Sequence, residues 1–155
     1  FLRLMYDTIA PGYDALYGEE QEKKLKKIAH ILQGRILDIG AGTGIVSKHF
    51  PHVVSLDPSW NMLKKAKGMK VLGVAEYLPF KAGSFDTIVS LTALHHTRIR
   101  KVIKELKRLH APNMAFTILK KSKKCPRIVF HLQKAFGMEM IEEEKDILLI
   151  KQVTH

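Results

Sequence analysis

Apolar residues along this 155-residue chain fall into two alternating rhythms. Short runs without polar alternation (I-L-D-I at 36–39, V-V-S-L-D at 53–57, Met69 to Val74, S-F-D-T-I-V-S-L at 84–91 and Ala115 to Leu119) read as strands covered on both faces. Between them apolar residues recur at helical spacing: Leu25, Ile28, Ala29 and Leu32, then Ile45 to Phe50, then Trp60, Leu63 and Ala66. Two further stripes are Ile99, Val102, Ile103, Leu106 and Leu109, and Ile128, Val129, Leu132 and Phe136. Ser59 is placed to cap the third helix, and Gly68 and Gly137 to end the third and the last. Strands alternating with helices predict an α/β fold with a largely parallel sheet. The last two runs, M-E-M-I-E and D-I-L-L-I-K-Q-V, are separated only by Glu143 to Lys145, which is too short for a crossover helix and predicts an antiparallel hairpin. The pattern gives six helical and seven strand-like segments in a single core over 34–155, preceded by an N-terminal segment and helix over 1–33. Pro11 and Gly12 should break any regular element near the start, and Lys23, Lys24, Lys26 and Lys27 should clothe the outer face of the first helix.

Composition narrows the class. With 46% hydrophobic residues the chain can bury a sizeable single core. The formal charge of +11 and pI near 9.8 favour polyanionic partners such as RNA or an acidic membrane face, or else solubility and a thermophilic composition. Cys125 is the single cysteine, so no internal disulfide forms and a reducing compartment is expected. No apolar run approaches a membrane span and the first residues lack the plan of a signal peptide, so the expected location is cytoplasmic.

The chemistry concentrates in R-I-L-D-I-G-A-G-T-G, from Arg35 to Gly44. Gly40, Gly42 and Gly44 permit a sharp turn and close ligand approach between a strand and a helix N-terminus. A phosphate-cradling loop would need Gly-Lys-Ser/Thr, which is absent. The dinucleotide pattern would need glycine where Ile45 stands. The order here is D-x-G-x-G-x-G, and Asp57 closes the next apolar run, where a carboxylate accepts from both hydroxyls of a ribose. With Asp38 near a positively charged ligand and no phosphate site, S-adenosylmethionine fits best.

These residues resemble the first motif of the class I, Rossmann-like S-adenosylmethionine-dependent methyltransferases. Y-D-T-I-A-P-G-Y-D, A-E-Y-L-P-F and A-L-H-H add resemblance to the branch that serves ubiquinone and menaquinone biosynthesis. The resemblance implies a seven-stranded Rossmann-like methyltransferase sheet, mostly parallel with a C-terminal antiparallel hairpin. It makes 1–33 a lid closed by Tyr6, Tyr13 and Tyr17. It gives as cofactor-binding candidates Asp38, Gly40, Ala41, Gly42, Gly44, Asp57, Pro58, Met62, Ala75, Glu76 and Leu91. Val74 stands where the family usually has an acid before Ala75. Ala111-Pro112-Asn113 replaces the usual Pro-Gly-Gly.

His95 and Tyr13 are the candidate catalytic groups. His95 and His96 fall at the ligand-binding edge of the sheet, and zinc is rejected because neighbouring residues of a strand face opposite ways and no Cys or acid cluster supports a metal. The implied reaction is transfer of a sulfonium methyl to a carbon or oxygen of a small molecule. Two readings stand beside it. One is a tRNA or RNA methyltransferase, in which basic stretches at Lys23 to Lys27, Arg98 to Arg108 and Lys120 to Arg127 track phosphates, with or without a partner protein completing the pocket. The other is a catalytically idle S-adenosylmethionine-binding protein.

Overall fold

The computed structural model describes residues 11–153, with side-chain surroundings from residue 18 onward. Its centre is a seven-stranded sheet in the order β3-β2-β1-β4-β5-β7-β6. The strands are β1 (Ile36–Ile39), β2 (Val53–Asp57), β3 (Met69–Leu72), β4 (Thr87–Leu91), β5 (Asn113–Leu119), β6 (Glu139–Glu142) and β7 (Asp146–Lys151). The first five run parallel; β7 enters antiparallel between β5 and β6, so the expected hairpin is present. The unbroken apolar runs have the expected cause: β1 and β4 are buried at every position, and β5 at all but its last.

Alternation along each strand sends its side chains to two cores. Leu37, Ile88, Met114 and Phe116 pack with Val102 and Leu106 of α4 (Ile99–Leu109) and with Ile128 and Leu132 of α5 (Cys125–Phe136). Ile36, Val89 and Ala115 pack on the other face with Leu25 and Ile28 of α1 (Pro11–Ile28) and with Ile45 and Val46 of α2 (Ile45–His49). The fifth helix, α3 (Trp60–Leu63), is a single turn capped by the Ser59 hydroxyl, which accepts from the Met62 N–H at 3.4 Å. Gly137 ends α5 in the left-handed region at φ 59°.

Several expectations need correction. Pro11 and Gly12 open α1 instead of interrupting it, because proline at a first helical position gives up an N–H that has no intrahelical partner. Lys24 does not face outward: its ammonium lies 3.6 Å from Asp146 and donates to Thr92 at 2.7 Å, so α1 is tied to the sheet by charge as well as by apolar packing. Trp60 is 54% exposed and contributes no core contact from α3. Val74 and Tyr77, beyond β3, pair only through an isolated bridge, and the β3–β4 connection carries no helix. Among the described residues no helix is long and apolar enough to cross a membrane.

Candidate functional site

The parallel strands end together at one edge of the sheet, and each end contributes a different group. β1 runs into the glycine loop, which is pinned to β2 by the Gly40 and Ala41 N–H groups donating to the Leu56 carbonyl at 2.8 and 2.9 Å. Gly40 (φ 71°) and Gly44 (φ 85°) lie where L side chains are strained. A Cβ on Gly40 would run into Ala93, and one on Gly44 would sit 2.5 Å from the Ala66 Cβ. The glycines therefore allow the loop to lie against its neighbours as well as to turn.

Asp57, at the end of β2, organises the loop. One carboxylate oxygen accepts the Gly42 N–H at 2.8 Å and the other the Ser59 N–H at 2.8 Å. Asp38, one strand away, is 1% exposed, and its Oδ2 has no hydrogen-bond partner among the described residues. Burial, with the Asp57 charge second, holds its carboxyl well above the usual carboxylate range. An unpaired buried carboxyl beside a second one is costly unless a cationic group comes near.

The third group follows β4. Thr92 takes a positive φ of 53°, rare for a β-branched residue, and turns the chain into a 3-10 turn over Leu94–His96. His95 and His96 therefore do not lie on a strand, and the opposite-face argument against a metal does not apply to them. Their rings pack together with centroids 3.8 Å apart. Among the described residues no group of three or more His, Cys, Asp or Glu is placed to hold a metal. His95 is half-buried; burial and then the charges of Lys124 and Lys24 keep its pKa below the ordinary histidine value. His96 is pushed down to about 4, by burial first and then by His95 and Lys124.

These ends enclose an open cavity of about 550 Å³. Of the cofactor-binding candidates, Gly40, Gly42, Asp57, Pro58, Met62, Ala75 and Glu76 line it, and so does His95. Glu76 has a second task, accepting the Arg98 N–H at 3.0 Å where α4 begins. Ala41 lines a smaller neighbouring cleft of about 180 Å³ between α1 and the loop. Gly44 is used in packing against Ala66, and the Leu91 side chain lies in the α1-side core. The Leu91 carbonyl accepts the Gln21 side-chain N–H at 3.3 Å, a further tie to α1. Tyr6 lies outside the described residues, and of Tyr13 and Tyr17 only the helical backbone is described. Ser59, Thr92, Ala93, Thr97 and Lys124 also line the cavity, and the sequence reading missed them. Of these only Ala93, which opens A-L-H-H, belongs to a motif, and Thr92 is marked by its position just past a strand end.

The basic stretches on α1 and α4 lie on opposite faces of the sheet, while the one leading into α5 shares the α4 face. Several of their charges are also paired internally: Lys27 with Glu143 at 3.7 Å, Lys24 with Asp146, and Arg108 with Glu105.

Residues 37–118 match the family described as Methyltransferase domain. An uncharacterized protein of Methanocaldococcus jannaschii is 36% identical over 115 residues, covering 67% of this chain and 45% of that one. The chain spans about half the length of the archaeal relatives it matches. The ubiquinone/menaquinone biosynthesis C-methyltransferase of Geotalea daltonii is 31% identical, covering 88% of this chain and 70% of that one. In fold, the chain superposes on a crystal structure of a methyltransferase from Thermotoga maritima with a TM-score of 0.75, covering 98% of this chain and 99% of that one at 16% identity.

Proposed function

The chain belongs to the S-adenosylmethionine-dependent methyltransferase family, and from that membership we propose that it transfers a methyl group to a small-molecule acceptor bound beside His95. The observation that carries this reading is the single cavity lined at one end by the glycine loop and Asp57 and at the other by His95 and His96. The donor end suits S-adenosylmethionine. Asp57 is oriented by two backbone donors for ribose hydroxyls, the loop has no Cβ where a ligand approaches, and the orphaned Asp38 oxygen gains from a cation. When bound, S-adenosylmethionine supplies a methyl group already activated on a sulfonium centre.

The chain's own residues position the reactants and receive a proton. His95 is neutral at pH 7, because burial and two lysines disfavour its charged form, so a ring nitrogen offers a lone pair to an acceptor O–H or acidic C–H. His96, held near 4, is too weak a base for that task. Tyr13, on the first turns of α1, is the second candidate, and 1–33 acts as the lid that excludes water. A small acceptor is favoured by the ubiquinone/menaquinone biosynthesis role of the Geotalea relative and by the separation of the basic faces of α1 and α4. Calorimetry with S-adenosylmethionine and NAD, followed by incubation of the protein with methyl-labelled donor and cell extract, tests the reading. Binding of the donor and label in a small-molecule fraction are expected. Tighter binding of NAD would overturn the cofactor, label in RNA the acceptor class, and absence of label in every fraction the catalytic reading itself.

A further inference from the structure

Two acids line the cavity, Asp57 and Glu76, and both accept backbone N–H groups, Glu76 that of Arg98 at the start of α4. The acceptor end, formed by Thr92, His95, His96 and Lys124, adds no carboxylate of its own among the described residues.

Lys124 is the cation of that end. Other lysines nearby are matched to acids: Lys24 to Asp146, Lys120 to Glu142 at 2.9 Å, and Lys145 to Glu20 at 3.8 Å. Among the described residues no acid lies within salt-bridge distance of the Lys124 ammonium, although it is near enough to both histidines to depress their ionisation. Behind the wall, Lys24 donates to the Thr92 hydroxyl, and its charge is met by Asp146. Two neutral imidazoles and an ammonium without a counter-charge make a ready set of donors for an oxyanion, which would gain charge-assisted hydrogen bonds there.

We infer that the methyl acceptor carries an anionic group, a carboxylate or phosphate, seated against Lys124 and the His95–His96 pair. The inference rests on the methyltransferase reading, since donor and acceptor share the cavity. It is tested by titrating the protein, saturated with S-adenosylhomocysteine, with benzoate, phenyl phosphate and the neutral benzamide while following the ring signals of His95 and His96 by NMR. At least one anion should shift those signals, raise the histidine pKa values, bind about fivefold tighter than benzamide and weaken with added salt. Whether benzoate or phenyl phosphate binds better separates a carboxylic from a phosphorylated acceptor. Lys124→Gln should abolish the preference for anions and leave S-adenosylhomocysteine affinity unchanged. Equal binding of benzamide, anions that never reach the histidine signals, or a preference that survives in Lys124→Gln would overturn the inference. Failure of S-adenosylhomocysteine to bind at all would instead overturn the methyltransferase reading beneath it.

Discussion

The two ends of the cavity are built differently. At the donor end the bonding is done mainly by the main chain: Gly40 and Ala41 on the Leu56 carbonyl, Gly42 and Ser59 on the Asp57 carboxylate. At the acceptor end side chains add to the main-chain bonds of the turn: Lys24 on Thr92, Thr92 with Thr117 at 3.0 Å, and the Thr97 hydroxyl on the Leu94 carbonyl at 2.6 Å. A main-chain site depends on backbone geometry, so few residue types serve at each position. A side-chain site can be rebuilt with other residues on the same short turn. The donor end is thus the shared machinery of a fold, and the acceptor end is where one member differs from another.

Substitutions at each end should separate these roles. The largest effect is expected from His95→Gln, which removes the proposed proton acceptor: kcat should fall about 100-fold or more while S-adenosylmethionine affinity is unchanged. The same assay gives a pH profile. Because the His95 pKa is lowered, the neutral base persists as pH falls, and the acid limb of kcat should lie below the ordinary histidine value of about 6.5. An acid limb above that value, or an equal loss of cofactor binding, would merge the two ends into one.

Asp57→Ala should act on the donor end alone. It deletes the acceptor for two backbone N–H groups and for the ribose, at about 1.5 to 3 kcal/mol for each hydrogen bond to a charged group. Calorimetry should show at least about a 100-fold loss of S-adenosylmethionine affinity. Gly44→Ala tests the packing of the loop: a left-handed φ and a crowded Ala66 together should cost about 2 kcal/mol of stability, measured by denaturant unfolding. Adding Ala66→Gly should recover only part of the crowding share, because the Ala66 Cα at 2.7 Å and the Ser47 Oγ at 2.8 Å still meet the added carbon.

Asp38→Asn should have the smallest effect and the opposite sign on stability. The folded-state pKa of Asp38 is raised, so its penalty is absent below the unfolded value and fully developed above the folded one. At pH 7 the neutral isostere should therefore stabilise the apoprotein by about 1 kcal/mol and weaken S-adenosylmethionine binding several-fold. A variant stabilised to the same extent but binding normally would remove Asp38 from the donor site.

The alternation of strands and helices, the terminal hairpin and the donor loop were readable from local patterns. A strand buried on both faces must be apolar throughout, a left-handed loop packed against Ala66 and Ala93 must be glycine, and the acid after β2 must follow at its strand end. Lys24 defeated the same reasoning, since four lysines in a row of five look like one solvated face until the hairpin brings Asp146 beneath one of them. His95 and His96 defeated it differently: Thr92 leaves the strand in the left-handed region, a conformation that a β-branched residue does not announce. What the sequence determined by itself is what depends on neighbours in the chain: the layer pattern, the glycine loop and its two acids. Tertiary structure alone decided which charges remain unmatched at the cavity, because a lysine's counter-charge comes from residues that are distant in sequence and meet it only when the sheet closes.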